Sequence, residues 1–300
     1  MKKKTYLFAL MAMVLTLGSC SDNENGIGGE TSKYITVSTS IGNMTRVATD
    51  AKGGQTFEEG DEISVYAWTG APTVAPETSE RVVNNAINKL TNGSWISTPQ
   101  MLWKNNREKH YFIGVYPTAA ISDLSAGEYT FDETKQVESD LLVAVNKDGI
   151  SYNADEQQTV PLTFTHVMAK LAVNLTYKNQ WGGIPTVEKV VVGNAAKEAT
   201  INYLTKVVTP STTAKEDFSL PEITENTKYV SVIIPQEDVK QLTIVIGGKN
   251  FVYDNGTPFK LESGKITTVN LEVGRDEIKL GDVKITNWED GSTFSGEALN

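Results

Sequence analysis

From residue 34 onward the chain alternates apolar and polar residues. Tyr34-Ile35-Thr36-Val37-Ser38-Thr39-Ser40-Ile41 is rich in β-branched side chains and repeats every second position, the period of a strand. Ile63, Val65 and Ala67 alternate with Ser64, Tyr66 and Trp68, and Tyr111, Ile113 and Val115 form a run ending at Pro117. Leu141, Val143 and Val145 share one side of the next, and Leu162 to His166 leads into Leu171, Val173, Leu175 and Tyr177. Val187–Val192, Val230–Ile234, Leu242–Ile246, Phe251–Tyr253 and Ile266–Val273 continue the series. Gly247-Gly248 and Asp254-Asn255-Gly256 read as tight turns. Two stretches break the period. Val83, Ala86, Ile87 and Leu90 stand at helical spacing and predict a short helix, and Asp238 to Leu242 predicts a helical turn.

Many short strands joined by Gly, Pro and Asn turns predict an all-β fold, sandwich or barrel, with few short helices. The body divides near residue 165, into units at 47–165 and 166–300, where one strand-rich run closes and another begins.

The first 32 residues follow a different pattern. Lys2, Lys3 and Lys4 precede an apolar stretch from Tyr6 to Leu17, which is too short for a stable bilayer-spanning helix. Gly18, Ser19 and Cys20 follow, and Cys20 is the single cysteine of the chain. This reads as a lipoprotein signal peptide over 1–19, cut so that Cys20 is lipidated; the bland alternative is a secretory signal with a chance cysteine. Residues 20–46 then form a lipidated tether and an N-terminal strand. Gly26, Gly28 and Gly29 make the stretch up to Ser32 a flexible link. A second polar, Gly-containing stretch follows the strand, so the strand has links on both sides.

Composition narrows the chemistry. The formal charge is -10, and without Lys2 to Lys4 there are 24 basic against 37 acidic residues, or -13. Such a surface repels nucleic acid and anionic lipid. With Cys20 acylated, no thiol is left for disulfides, metals or catalysis. His110 and His166 lie on separate strands with no third ligand at zinc spacing. Glu58-Glu59-Gly60-Asp61-Glu62 is the densest acid cluster; it lacks the alternating oxygens of a calcium loop and reads as a charged turn. No Gly-x-Ser-x-Gly elbow occurs. No metal, cofactor or catalytic residue is assigned, and an enzyme is not expected. Trp68, Trp95, Trp103, Trp181 and Trp288 offer either a sugar platform or core packing.

Several motifs in order resemble the fimbrillin family, the lipoprotein-derived pilus subunits of Bacteroidetes. They are the lipoprotein cysteine followed by a strand and Thr45-Arg46; Phe57-Glu58-Glu59-Gly60-Asp61-Glu62-Ile63-Ser64-Val65-Tyr66; and Leu162-Thr163-Phe164-Thr165-His166-Val167-Met168-Ala169-Lys170-Leu171. Ile233-Ile234-Pro235-Gln236, the run from Leu261 to Leu271 and Ile285-Thr286-Asn287-Trp288 complete the set. The resemblance implies two transthyretin-like β-sandwich domains in tandem. It also implies export to the outer membrane as a lipoprotein, cleavage by an arginine-specific protease and assembly with other fimbrial subunits by strand exchange. Ser21-Asp22-Asn23-Glu24 resembles the acidic signal for surface delivery.

Arg46 stands in a polar, Gly-flanked stretch where a protease can grip extended backbone. A cut between Arg46 and Val47 would remove the acyl anchor and the strand bearing Tyr34, Ile35, Val37 and Ile41. The exposed slot would then accept a strand from another subunit, with a gross gain on the order of 10 kcal/mol from backbone pairing and apolar burial. The C-terminal stretch after Val273 reads either as a donor strand or as the last strand of the second unit. The expected function is a fimbrial subunit or tip adhesin meeting a host or bacterial surface ligand. The alternatives are a monomeric lipoprotein that binds glycans and, more weakly, a surface hydrolase.

Overall fold

The computed structural model describes residues 33–42, 56–153, 158–254 and 256–288. Its strands in the first half are β1 (Thr36–Ile41), β2 (Glu62–Thr69), β3 (Val83–Thr91), β4 (Ser94–Thr98), β5 (Lys109–Tyr116), β6 (Gly127–Thr130), β7 (Leu142–Ser151) and β8 (Thr159–His166). The second half holds β9 (Ala169–Tyr177), β10 (Lys189–Ala196), β11 (Glu198–Asn202), β12 (Val207–Pro210), β13 (Lys215–Leu220), β14 (Glu222–Thr224), β15 (Lys228–Ile233), β16 (Gln241–Ile246), β17 (Lys249–Asp254), β18 (Lys265–Val273) and β19 (Ile278–Asn287). The fold is all-β, and the described residues include one short 3-10 turn, Thr78–Glu80.

Both helical expectations are corrected. Val83–Leu90 lies in β3, antiparallel to β2. The register shifts so that Val65 and Ala67, two apart, face Ala86 and Val83, three apart. The extra residue is a bulge, with Asn85 at φ 57° in the left-handed region that Asn tolerates. The bulge puts Val83 and Ala86 on the same buried face, and so a strand acquires helical spacing. Asp238 to Lys240 is a loop leading into β16, with Val239 buried and its carbonyl accepting the Phe259 N–H at 2.8 Å.

A seven-stranded sheet runs β1-β8-β7-β5-β2-β3-β4. The second half forms a five-stranded sheet, β14-β15-β9-β18-β19, and a four-stranded sheet, β13-β10-β16-β17. β6 crosses the midpoint of the chain to join β11 and β12. Most strands are antiparallel, but β1 runs parallel to β8 and β18 parallel to β9.

The middle of the seven-stranded sheet, at β2 and β5, is buried on both faces. On one, Ile63, Val65 and Ala67 pack with β1 and β8; on the other, Tyr66 and Trp68 join a core that runs into the second half. This is why β2 buries consecutive residues where alternation predicts one wet side. The polar residue in that run is satisfied: Ser64 Oγ accepts the Ala119 N–H at 2.9 Å.

Candidate functional site

The first strand closes a seam. β1 pairs with β8 from Thr36↔Thr159 to Ile41↔Phe164, and Gly42 N donates to the Phe164 carbonyl at 2.8 Å. Its other edge meets the segment after β4: Ile35 N donates to Met101 O at 3.0 Å, and Trp103 N to Lys33 O at 3.2 Å. Tyr34 bridges Leu102.

The alternation read from the sequence sets which side chains enter the core. Ile35, Val37 and Ile41 are 2%, 6% and 8% exposed and pack in a cluster with Ile63, Val65, Phe112, Leu162 and Phe164. Tyr34 is half-buried. Thr36 and Ser40 point the other way, their hydroxyls 3.2 Å from those of Thr159 and Thr163. Burying each aliphatic side chain stabilises by about 1.5–3 kcal/mol.

Phe57 packs beside β1 in the same cluster. Its ring packs edge-on against Trp95 at 5.3 Å, Tyr116 at 5.4 Å and Phe164 at 5.1 Å. The following acidic residues form the turn entering β2. Gly60 has φ +98°, a conformation that L side chains rarely adopt, and Asp61 Oδ2 accepts the Glu58 N–H at 2.7 Å. The Tyr116 hydroxyl donates to Asp61 Oδ1 at 3.4 Å. No group of three or more His, Cys, Asp and Glu suited to a metal occurs among the described residues.

β1 therefore has an anchor at each side of residues 43–55. Cys20, expected from the sequence to be lipidated, and the expected cleavage pair Arg46 and Val47 lie outside the described residues.

A second cluster joins two of the sequence motifs. His166 Nδ1 lies 2.8 Å from Asp140 Oδ1, and its ring stacks on Trp288 at 4.0 Å with an interplanar angle of 7°. Lys170 Nζ sits 4.0 Å from the same indole's centroid. Burial, opposed by Asp140 and aided by Lys228, lowers the Lys170 pKa to about 8. Trp288 N donates to Gly264 O at 2.9 Å, which fastens the end of β19. β19 itself is an edge strand, antiparallel to β18, with Val283 and Ile285 exposed.

His110 is fully buried, and its Nε2 accepts the Lys104 N–H at 3.0 Å. That bond makes the ring neutral at Nε2, and burial lowers its pKa. The ring packs against Trp103. Trp68 and Trp103 are buried, while Trp95, Trp181 and Trp288 are half-buried and packed against Phe57, Phe251 and His166 respectively. Sequence reasoning missed β4, β6 and β11 to β14, and with β4 it missed the contact of Trp95 with β1. The signal was weak, because β4 has only five residues and faces solvent at every second one.

These features define a class: an all-β protein of packed sheets whose first strand lies between β8 and the segment after β4 and turns its aliphatic side chains into the core. The chain belongs to the fimbrillin-like family, which matches residues 45–288 and so begins just after β1. No functionally curated protein matches it. Among solved structures it is similar to a proposed cell adhesion protein of Bacteroides ovatus, at 17% identity and TM-score 0.65, covering 85% of this chain and 98% of that one. A proposed cell adhesion protein of Bacteroides uniformis aligns at 15% identity and TM-score 0.59, covering 85% and 99%. A fimbrial protein of Bacteroides vulgatus aligns at 13% identity and TM-score 0.51, covering 84% and 99%. At these identities the likeness is one of fold.

Proposed function

We propose that this chain is a structural subunit or tip adhesin of a surface fimbria. It reaches the cell outer membrane as a lipoprotein held by Cys20, is cleaved after Arg46 by an arginine-specific protease, and joins other fimbrial subunits by exchange of its first strand. The fold then consists of two β-sandwich domains, 47–165 and 166–300, with residues 20–46 as the removable part.

One observation carries the reading. β1 puts three aliphatic side chains into the core, yet its link to Phe57 is the stretch 43–55 that contains Arg46. A cut there leaves β1 held by noncovalent contacts alone. It also removes the lipid from the folded body, and acyl chains with about 0.8 kcal/mol per buried methylene do not leave a bilayer unaided. Of the other arginines, Arg81 is buried, with its guanidinium donating to Ile121 O and Ser122 O at 2.6 Å, whereas Arg107 and Arg275 are exposed in bends, so the site of the cut has to be read from the products.

Incubating the lipidated chain with an arginine-specific protease, then sequencing the products, tests the proposal. The expected result is one stable fragment beginning at Val47. Loss of the whole body, or an intact chain, overturns it.

A further inference from the structure

The slot under β1 is not uniformly apolar. Three of its inward positions hold Ile35, Val37 and Ile41, but the position between Val37 and Ile41 is Thr39, opposite Leu162. The Trp95 indole Nε1–H donates to Thr39 Oγ1 at 3.0 Å. The indole is half-buried beside Phe57, and the other groups around it in the cluster are largely hydrocarbon. An indole N–H has donor capacity only, so an apolar side chain laid over it takes away water and returns nothing.

We propose that this indole selects the strand that replaces β1. An incoming segment places aliphatic residues where Ile35, Val37 and Ile41 stand, and a hydrogen-bond acceptor, Thr, Ser, Asn or Asp, where Thr39 stands. The partner is thus an extended segment whose alternate residues read aliphatic, aliphatic, acceptor, aliphatic, and Trp95 is a specificity-determining residue. This inference rests on the strand-exchange reading above.

The test uses the full chain with a specific protease site introduced within residues 43–55, cut so that β1 stays bound without a covalent link. Fluorescent peptides of residues 33–42 are added in excess, and their entry and retention are followed by anisotropy. Failure of the parent peptide to enter sinks strand exchange itself, whatever Thr39 contributes. Given entry, the Thr39→Val peptide is expected to be held about tenfold more weakly, because Val keeps the branched shape but has no acceptor, while the Thr39→Ser peptide stays within about threefold. In Trp95→Phe protein the gap between Thr and Val peptides is expected to close. Equal retention of Thr and Val peptides, or a gap that persists in Trp95→Phe, overturns the acceptor rule. Should Trp95→Phe not fold, Thr39→Val and Thr39→Ser in the uncut chain decide: a lower denaturation midpoint for Val alone supports the rule, and equal midpoints overturn it.

Discussion

Lys170 illustrates how one side chain can be costly and still be kept. It is 2% exposed, it lies against the Trp288 indole, and its pKa falls to about 8. An unfolded lysine titrates near 10.4. Between about pH 8 and 10 the unfolded chain therefore holds a proton that the folded chain has released, and stability rises with pH. Below that window both states are charged and the burial penalty is fully present. Tyr116, raised to about 12 mainly by burial, acts with the opposite sign above pH 10, because the folded state then keeps the proton. We expect the melting temperature of the parent to rise from pH 7.5 to pH 9.5, and that of Lys170→Met to rise less. Equal slopes in thermal unfolding at the two pH values would exclude a buried charge. The motif residues His166, Lys170 and Trp288 were visible in the sequence as separate fragments. Their convergence was not, because Trp288 lies more than a hundred residues away in the chain.

At the scale of elements, β1 obeys its sequence pattern, so its two faces should respond differently to truncation. Val37→Ala is expected to lower stability by about 2 kcal/mol through lost burial and a residual cavity. Ser38→Ala, on an exposed position, should stay within about 0.5 kcal/mol. Urea denaturation of both variants checks the contrast, and comparable losses would mean that β1 is not seated as described. The same alternation misleads in β3. There a bulge at Asn85 converts a strand period into helical spacing, and only the pairing with β2 reveals it. The strands between Glu198 and Thr224 were missed for another reason: they are short and several are mostly exposed, so the apolar period has no length in which to repeat.

For the whole molecule, one core joins the seven-stranded sheet to the sheets of the second half. One cluster runs from Tyr66, Ile113 and Val143 through Leu171 and Val190 to Leu271. β6 adds a backbone ladder between the two halves, from Glu198↔Thr130 to Ile201↔Gly127. Two halves sharing a core lose it together, so scanning calorimetry of the intact chain should show one transition with equal calorimetric and van't Hoff enthalpies. Two separated transitions would mean that the halves are energetically independent.

The sequence by itself determined the all-β class, the face that β1 turns inward, the turn at Gly60-Asp61 and the hairpin at Gly247-Gly248. All of these depend on neighbours within a few residues, through the two-residue side-chain period and the left-handed backbone at glycine. Only the tertiary structure decided that β1 fills a seam between β8 and the segment after β4, that both faces of β2 are dry, and that Trp95 meets Thr39. Those facts depend on which distant strands pair, and the register of such pairs is set by packing across the whole fold.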